Sequence, residues 1–479
     1  MSGLSLDEYV AHARLHFEEG LIQHSYRETD DGWEGSVSHK SGPSLVRITI
    51  PDTFPFSPPR VTPVDLDWAA WSWHRELDGA LCLVAKDDHA DLWWADAAGF
   101  LSRVEAWLVQ ADLGWPDDRT DLDLERYFPP SADGRLIVYG DLLPISSAYV
   151  RFRAKANNVL ELTGRSIRPP KARSTNRDRW GYVAALGELT SPPRTWEQVR
   201  ELIGAEAGDR IERGTVDTLV VTYLRGEHEG AAVLDLLLTK DGFALHRLRS
   251  GPDTVASTRA RAGRSAEILA DKHVAIVGVG AIGSFLADAL VRAGVGSLTL
   301  VDHDVIKPGN LVRHLVGADA IGLPKPLAVR SELVRRLRIE PGQVEAAQMD
   351  ACDPALISRL LRDCDLVINA TADFSVTALL QAAAIDAGRH ALSICIQNAG
   401  LTLRLDVLPP ISGVALRNSA RPGDPPDYFE AGCGSPISPT PPQAVIEAAA
   451  VAARHAVGYL IGTPLDPAGE VREMSEVQL

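Results

Sequence analysis

Hydrophobic positions change rhythm most sharply between residues 275 and 301. Ala275-Ile276-Val277 is an unbroken apolar run that opens onto glycines, which predicts a buried strand. Gly278-Val279-Gly280-Ala281-Ile282-Gly283 follows as a turn, after which Phe285, Leu286, Leu290 and Val291 recur at helical spacing. Leu298-Thr299-Leu300-Val301 reads as a second strand and Asp365 through Ala370 as a third. Beyond them the pattern predicts a helix over Val376–Ala387, strands over Ala391–Gln397 and Leu401–Val407, and a long apolar helix from Gln443 to Ile461. Glu447, Arg454 and His455 interrupt that last helix, so it is expected to pack against protein and not to span a membrane.

The first 128 residues follow a different rhythm. Tyr9, Val10, Ala13 and Phe17 mark one face of a helix over Leu6–Glu19. Gly35–His39 is a weak strand signal and Leu45–Ile50 a stronger one. The prolines of residues 51–61 exclude both helix and central strand, predicting an extended loop packed by Phe54 and Phe56. Trp73 to Leu83, the pair Trp93-Trp94 and a helix over about Ala97–Ala111 complete this part. In the middle of the chain Arg135–Tyr139, Val216–Tyr223 and Ala231–Leu238 read as strands. Arg165–Arg179, basic and holding Pro169-Pro170, reads as an exposed loop, and Thr195 caps a short helix reaching Ile203. The expected division is 1–128, 129–258 and 259–479: an α+β unit, a β-rich linking unit and a Rossmann-like unit, α/β overall.

At 479 residues the chain is long enough for about three domains with their own cores. A formal charge of -16 argues against nucleic acid as a partner. The first residues carry no basic-then-apolar signal segment, which leads to the expectation of a soluble cytoplasmic protein. Five scattered cysteines form no disulfide framework. Cys352, Cys364 and Cys395 lie beside or within apolar segments and are expected to pack in cores. Cys433 sits between Gly432 and Gly434 with prolines following, a context that exposes the sulfur on a loop where a thiolate nucleophile is useful. No Cys-x-x-Cys pair is present, so a structural zinc is not expected.

The glycine turn, with a helix N-terminus behind it, is suited to an anion, and Asp302 lies about 20 residues past the last glycine, where a carboxylate binds ribose. Arg313 and Lys325 downstream call for a more highly charged ligand than a dinucleotide. ATP is favoured over NAD.

The Gly278–Gly283 turn, Asp302, Asn310-Leu311-Val312-Arg313, Lys325 and the strand running to Thr371-Ala372-Asp373 together resemble the ThiF/MoeB/E1 activating-enzyme superfamily over about residues 260–470. That family adenylates the C-terminal glycine of ubiquitin-like proteins. The resemblance implies that Gly278, Gly280 and Gly283 cradle the nucleotide, that Asp302 binds ribose, and that Asn310, Arg313 and Lys325 meet the phosphates. It implies Asp373 as the magnesium ligand, although the family often has Thr-Asp-Asn where this chain has Thr371-Ala372-Asp373. An arginine ahead of the first strand reaches phosphates in the family, sometimes across a dimer; Arg261 or Arg264 matches it, unless the segment is a solvated basic linker. The resemblance further implies a homodimer, and it places Cys433 where thioester-forming relatives keep a cysteine.

The order helix, meander, Phe54-Pro55-Phe56-Ser57-Pro58-Pro59, His74, Gly79-Ala80-Leu81-Cys82-Leu83, tryptophans and helix resembles a ubiquitin-conjugating (E2) domain, with Cys82 on the thioester position. By composition alone Cys82 is either that thiol or a buried core cysteine. His74-Arg75-Glu76 stands where most of the family has His-Pro-Asn, so the asparagine's role has no evident holder. The two resemblances together point to the bacterial E2–E1 fusion proteins of CBASS antiphage systems (the Cap2 type). They imply ATP and magnesium, the C-terminus of a ubiquitin-like protein or a CD-NTase as the activated partner, and an amine-bearing conjugation target. A sulfur-carrier adenylyltransferase of cofactor biosynthesis and a non-catalytic binder of ubiquitin-like proteins are the alternatives.

Overall fold

Ser5 opens the first helix with a reciprocal cap: its Oγ accepts the Glu8 N–H at 3.3 Å while Glu8 Oε2 accepts the Ser5 N–H at 2.7 Å. The computed structural model describes residues 5–474 except 40–41, 65–70, 85–90, 117–119, 121, 143–144, 146, 171–173, 176, 214–215 and 418–438. Two compact units meet in sequence at Thr254 and Val255. Helix α1 (Leu6–Gln23) buries Phe17 and Leu21. Strands β1 (Arg27–Thr29), β2 (Gly32–His39), β3 (Gly42–Thr49) and β4 (Arg60–Pro63) form an antiparallel meander in that order. Alternate residues Trp33, Val37, Val46 and Ile48 point into the core, as the twofold strand period requires. Asp96 caps α2 (Ala97–Leu113), whose Phe100, Val104 and Leu108 join the same core. Phe54 packs as expected at 1% exposure, but Phe56 is 52% exposed, so only the first of the two aromatic residues anchors the proline loop.

Residues 129–258 were expected to carry three strands; the first unit instead holds an eight-stranded sheet. Its strands are β5 (Leu136–Tyr139), β6 (Ala148–Ala154), β7 (Val159–Ser166), β8 (Asp178–Glu188), β9 (Thr218–Arg225), β10 (His228–Thr239), β11 (Gly242–Arg247) and β12 (Arg249–Pro252). The order across the sheet is β11-β10-β9-β8-β6-β7-β5-β12. Helix α3 (Trp196–Ile203), capped by Thr195, and α4 (Ala205–Arg213) precede β9. Arg179 corrects the reading of 165–179 as an exposed loop. It is the second residue of β8, is 6% exposed, and its guanidinium is paired with Asp133 at 2.6 Å, with Asp217 at 3.2 Å and with Asp235. A buried charge held this way links strands; it does not solvate a loop. Trp73 packs into the core of this sheet, stacked on Tyr223 at 6.2 Å and edge-on to Tyr127 at 5.5 Å.

The second unit begins with α5 (Val255–Arg259) and α6 (Ala266–Leu269), followed by β13 (His273–Val277), α7 (Ala281–Ala293) and β14 (Ser297–Val301). Then come α8 (Lys325–Leu337), β15 (Val344–Ala347), α9 (Pro354–Asp363), β16 (Leu366–Asn369), α10 (Phe374–Asp386), β17 (Ala391–Gln397), β18 (Thr402–Leu408), α11 (Pro442–Leu460) and β19 (Gly469–Glu473). The sheet order is β15-β14-β13-β16-β17-β18-β19; the first five strands are parallel and the last two antiparallel additions. Alternation along β13 puts Val274 and Ile276 in one apolar layer with α7 and α11, and Ala275 and Val277 in the other with α9 and α10. Both faces are covered, which is why these strands read as continuous apolar runs. The chain leaves β13 toward β14 and β15, then returns to β16 on the other side. The crevice at the carboxyl ends of β13 and β16 is therefore the switch point where such sheets bind ligands. Among the described residues no helix is long and apolar enough to cross a membrane.

Candidate functional site

A cavity of about 400 Å³ lies at this switch point, lined by Gly278 and Gly280 after β13, Asp302 and Asp304 after β14, Thr371 and Asp373 after β16, and Arg313 and Lys325. Its size suits a nucleotide. Gly278 has φ +88°, and a side chain there would meet the Thr371 nitrogen at 2.7 Å, so this position is closed to other residues. A side chain at Gly280 would meet nothing within 4 Å, so its backbone faces open space, where a phosphate can approach. Helix α7 has no side-chain cap, which leaves its first N–H groups available to an anion. Gly283 does a different job from the one expected. It does not line the cavity, and a Cβ there would sit 2.0 Å from the Gly278 oxygen, so it permits the helix to pack against the turn.

Charge is arranged around this frame. Asp302 is 9% exposed; its Oδ2 accepts the Val279 N–H and its Oδ1 the Asp304 N–H, both at 2.9 Å. The carboxylate thus clamps the glycine turn and retains lone pairs for a ligand hydroxyl. Lys325, at the start of α8, donates from Nζ to Asp304 Oδ2 at 2.7 Å and lies 4.0 Å from Asp302 Oδ2. Burial works to raise the Asp304 pKa, but the Lys325 ammonium outweighs it and holds the carboxyl below its ordinary value. Arg313 Nη1 donates to the Thr440 carbonyl at 3.2 Å. Asp373 caps α10: Oδ1 accepts the Ser375 and Val376 N–H groups at 2.6 and 3.2 Å, while Oδ2 has no partner among the described residues. Ala372 precedes it at φ +58°, a left-handed conformation costing a non-glycine residue about 1–2 kcal/mol. The turn lies directly before Asp373, which lines the cavity. Among the described residues no group of three His, Cys, Asp or Glu is placed to hold a metal. A cation here fits only as magnesium commonly binds, through one carboxylate and a ligand's phosphates.

Other expected residues lie elsewhere. Asn310 is outside the cavity wall; its Oδ1 accepts the Lys307 N–H at 2.9 Å and shapes the turn carrying Arg313. Arg264 and Arg261 are both exposed and do not line the cavity of their own chain. Cys433 lies outside the described residues. Cys364 is buried and Cys395 half-buried, as expected, and burial pushes their thiols up to about 12 and about 11. Cys352 is a correction: it is exposed and lines the cavity beside Asp350, because the segment after β15 turns away from the core before α9 begins.

Two site residues were not singled out from sequence. Buried His314 donates from Nε2 to the Val279 carbonyl at 2.9 Å, while its Nδ1 accepts the Val316 N–H at 3.4 Å. Burial, in part offset by the Val279 hydrogen bond, lowers its pKa, consistent with a neutral ring that supports the glycine turn. Asn369, fully buried, accepts the Thr371 N–H and Oγ–H through Oδ1 at 3.1 and 2.8 Å, and donates from Nδ2 to Thr377 at 2.9 Å. It fixes the loop leading to Asp373. The only sequence sign of that role is an asparagine at a strand end two residues before a threonine.

In the first unit Cys82 is half-buried, and its N–H donates to the His74 carbonyl at 2.9 Å. The His74 ring lies flat against Trp115 at 3.5 Å. Burial foremost, and then Glu76, push the Cys82 thiol above its ordinary value, with Arg126 acting in the opposite direction.

Residues 258–461 match the family model described as the ThiF family, so the C-terminal half holds a ThiF-family, Rossmann-like domain. Over 116 residues the chain is 37% identical to the ATP-dependent ubiquitin transferase-like protein Cap2 of Pseudomonas aeruginosa, covering 23% of this chain and 20% of that protein. Over 117 residues it is 36% identical to the molybdopterin-synthase adenylyltransferase of Escherichia coli, covering 24% of this chain and 46% of the enzyme. The matched stretches thus span less than half the length of either relative. A crystal structure of E. coli MccB with ATP matches with a TM-score of 0.33 and 16% identity, covering 44% of this chain and 66% of that one.

Proposed function

We propose that the ThiF-family domain uses ATP to adenylate the C-terminal carboxylate of a ubiquitin-like or sulfur-carrier protein. The observation that carries this reading is the convergence of Asp302, Arg313, Lys325 and Asp373 on one cavity behind an uncapped helix N-terminus. The N–H groups of Gly280 and of the first turn of α7 donate to phosphate oxygens, and Asp302 accepts a ribose hydroxyl. The incoming carboxylate oxygen bonds to the α-phosphorus as the bond to pyrophosphate breaks, and Lys325 and Arg313 take up the departing negative charge. Lys325 exchanges one anion for another in doing so, since Asp304 already holds its Nζ. Magnesium neutralises phosphate charge when bound, and Asp373 Oδ2 is the oxygen that would hold it.

The fuller reading divides the chain as 1–128, an E2-like domain; 129–258, a linking domain; and 259–479, the adenylating domain. Cys433 displaces AMP to form a thioester, the acyl group passes to Cys82, and a target amine takes it. The activated partner is a ubiquitin-like protein or a CD-NTase in antiphage defence, and the enzyme acts as a homodimer, which leaves Arg264 available to a second copy. The order of α1, the meander, the proline loop, Cys82 and α2 supports the E2-like assignment, and the Cap2 relative supports the fusion. A second reading, sulfur-carrier adenylation without conjugation, is favoured by the larger share of the molybdopterin-synthase adenylyltransferase that the chain covers.

Titration calorimetry with ATP, magnesium and NAD, followed by ATP–pyrophosphate exchange with a glycine-terminated peptide, tests the core of the proposal. ATP binding and exchange that vanishes in Lys325→Ala are expected; NAD binding without ATP binding would overturn it. Non-reducing gels then separate the two readings, since only conjugation needs a thioester on Cys82.

A further inference from the structure

The first unit holds a cavity of its own, of about 460 Å³, which the adenylation reading leaves unassigned. Asp123, Glu125, Ser131, Asp133, Arg247 and Arg249 line it. Backbone ties fix its walls. Arg247 donates its N–H to the Pro129 carbonyl at 2.8 Å and accepts the Ser131 N–H at 2.9 Å through its own carbonyl. From Arg249 onward, β12 pairs in parallel with β5. Leu248 goes to the core at 2% exposure, and strand alternation turns its neighbours Arg247 and Arg249 the other way, onto the cavity wall. Arg247 is half-buried and Arg249 exposed, and neither guanidinium has a hydrogen bond or ion pair among the described residues. The acidic lining is unequal. Asp133 is occupied by Arg135 and by Arg179, each at 2.6 Å. Glu125 stands on the 3-10 turn Leu124–Tyr127, anchored by the fully buried Leu124 and Tyr127, and accepts the Ser250 hydroxyl at 3.4 Å. Burial foremost pushes the Glu125 carboxyl up to about 7, against the pull of its own N–H and with Asp123 adding to the rise. Near neutral pH it therefore donates or accepts a hydrogen bond.

We propose that this cavity binds a small phosphate monoester carrying free hydroxyls, of the size of a sugar phosphate or a nucleoside monophosphate. Two guanidiniums without counter-ions, in a chain of net charge -16, leave a doubly positive wall for an anion. A phosphate head brings two charges and three oxygens, enough to meet both arginine forks at once. Asp123 and Glu125 suit hydroxyl groups and oppose a longer polyphosphate chain. The volume lies near the lower end for small-molecule sites, with room for a sugar ring beside the phosphate and more than a bare phosphate fills. The arginines repel a metal cation, and among the described residues no group of three His, Cys, Asp or Glu is placed to hold one.

Hydrogen-exchange mass spectrometry on the full-length protein tests this, because peptides covering Leu124–Gly134 and His246–Ser250 read this cavity apart from the ATP site. Ribose 5-phosphate and AMP are the probes, with ribose and inorganic phosphate as controls. Protection of these peptides should saturate as either ester is titrated in, with exchange slowed about 10-fold once the ester stands at about ten times its dissociation constant. Ribose should have no effect and inorganic phosphate a weaker one. Peptides of the second unit record any AMP held at the ATP cavity. Protection by ribose 5-phosphate, with or without AMP, assigns the site to sugar phosphates, and protection by AMP alone assigns it to nucleotides; either supports the proposal. Arg249→Ala, at an exposed position, should weaken binding about 10- to 100-fold, and Arg249→Lys should recover part of the loss. Arg247→Ala should act similarly, with an unchanged tryptophan-fluorescence melt showing that the unit is still folded. No protection by either ester, or protection that both alanine variants leave unchanged, would overturn the proposal. Inorganic phosphate binding as tightly as either ester would overturn it too, since the arginines alone would then account for the site.

Discussion

Two clusters in this molecule use the same chemistry, a cation among carboxylates, for opposite ends. Arg179 is surrounded by Asp133, Asp217 and Asp235 in the eight-stranded sheet, with only 7% of its side chain exposed. Its Nε also donates to Thr218 and an Nη2 hydrogen bond goes to the Asp217 carbonyl, so its donors are spent on the protein. Lys325 has 12% of its side chain exposed, but its nearer partner, Asp304, is 46% exposed and both line the switch-point cavity. Asp304 can return to water when a phosphate arrives; Asp235, 8% exposed, cannot. A saturated ion cluster fixes strands, whereas one that opens onto a cavity is available to a ligand. Exposure of the counter-ion, more than that of the cation, separates the two.

Breaking the saturated cluster should have the largest effect. Arg179→Leu leaves the buried Asp235 carboxylate without its cation and is expected to destabilise the first unit by about 3–5 kcal/mol while leaving ATP–pyrophosphate exchange unchanged. All ten tryptophans lie before residue 255, so denaturant melts followed by tryptophan fluorescence report this unit selectively. A loss under about 1 kcal/mol would place Arg179 among ordinary surface charges. Lys325→Ala should do the reverse, lowering exchange by about 100- to 1,000-fold with the melt unchanged. Exchange within threefold of wild type would remove Lys325 from the site.

Acid should separate the two regions by pH. His314 is buried with a pKa lowered by desolvation, so the unfolded chain takes up its proton first as pH falls through the ordinary value of 6.5. The contribution of the neutral ring is complete above pH 6.5 and is lost progressively below it. Asp133, held down to about 2 chiefly by Arg135, keeps its contribution until pH falls below its ordinary 3.8 and loses it toward 2. Hydrogen-exchange mass spectrometry should therefore show peptides around Val277–His314 losing protection below pH 6.5, before those of β8 and β10. The opposite order would mean that His314 is not the support of the glycine turn. The smallest effect is expected from Asp304→Asn: about 0–1 kcal/mol in stability, as for an exposed pair, read by a denaturant melt followed by hydrogen exchange of second-unit peptides, and ATP–pyrophosphate exchange altered only a few-fold.

Sequence by itself determined the second unit in most of its detail. Continuous apolar strands, the glycine turn, Asp302, Lys325 and Asp373 were legible because a strand–turn–helix repeat brings each of them to the same edge of the sheet by local connectivity. The eight-stranded sheet was legible only in three of its strands. β6 and β8 mix arginines with apolar residues, and nothing local distinguishes an exposed arginine from Arg179, whose partners Asp133, Asp217 and Asp235 come from distant positions. Tertiary structure alone decided that Gly283 serves packing, that Asn310 shapes a turn, and that Phe56 and Cys352 are exposed. Each of those outcomes depends on which remote segment arrives beside a residue. Hydrophobic period and turn chemistry record how a segment folds on itself, but whether a polar side chain is spent or available is settled only when its neighbours are in place.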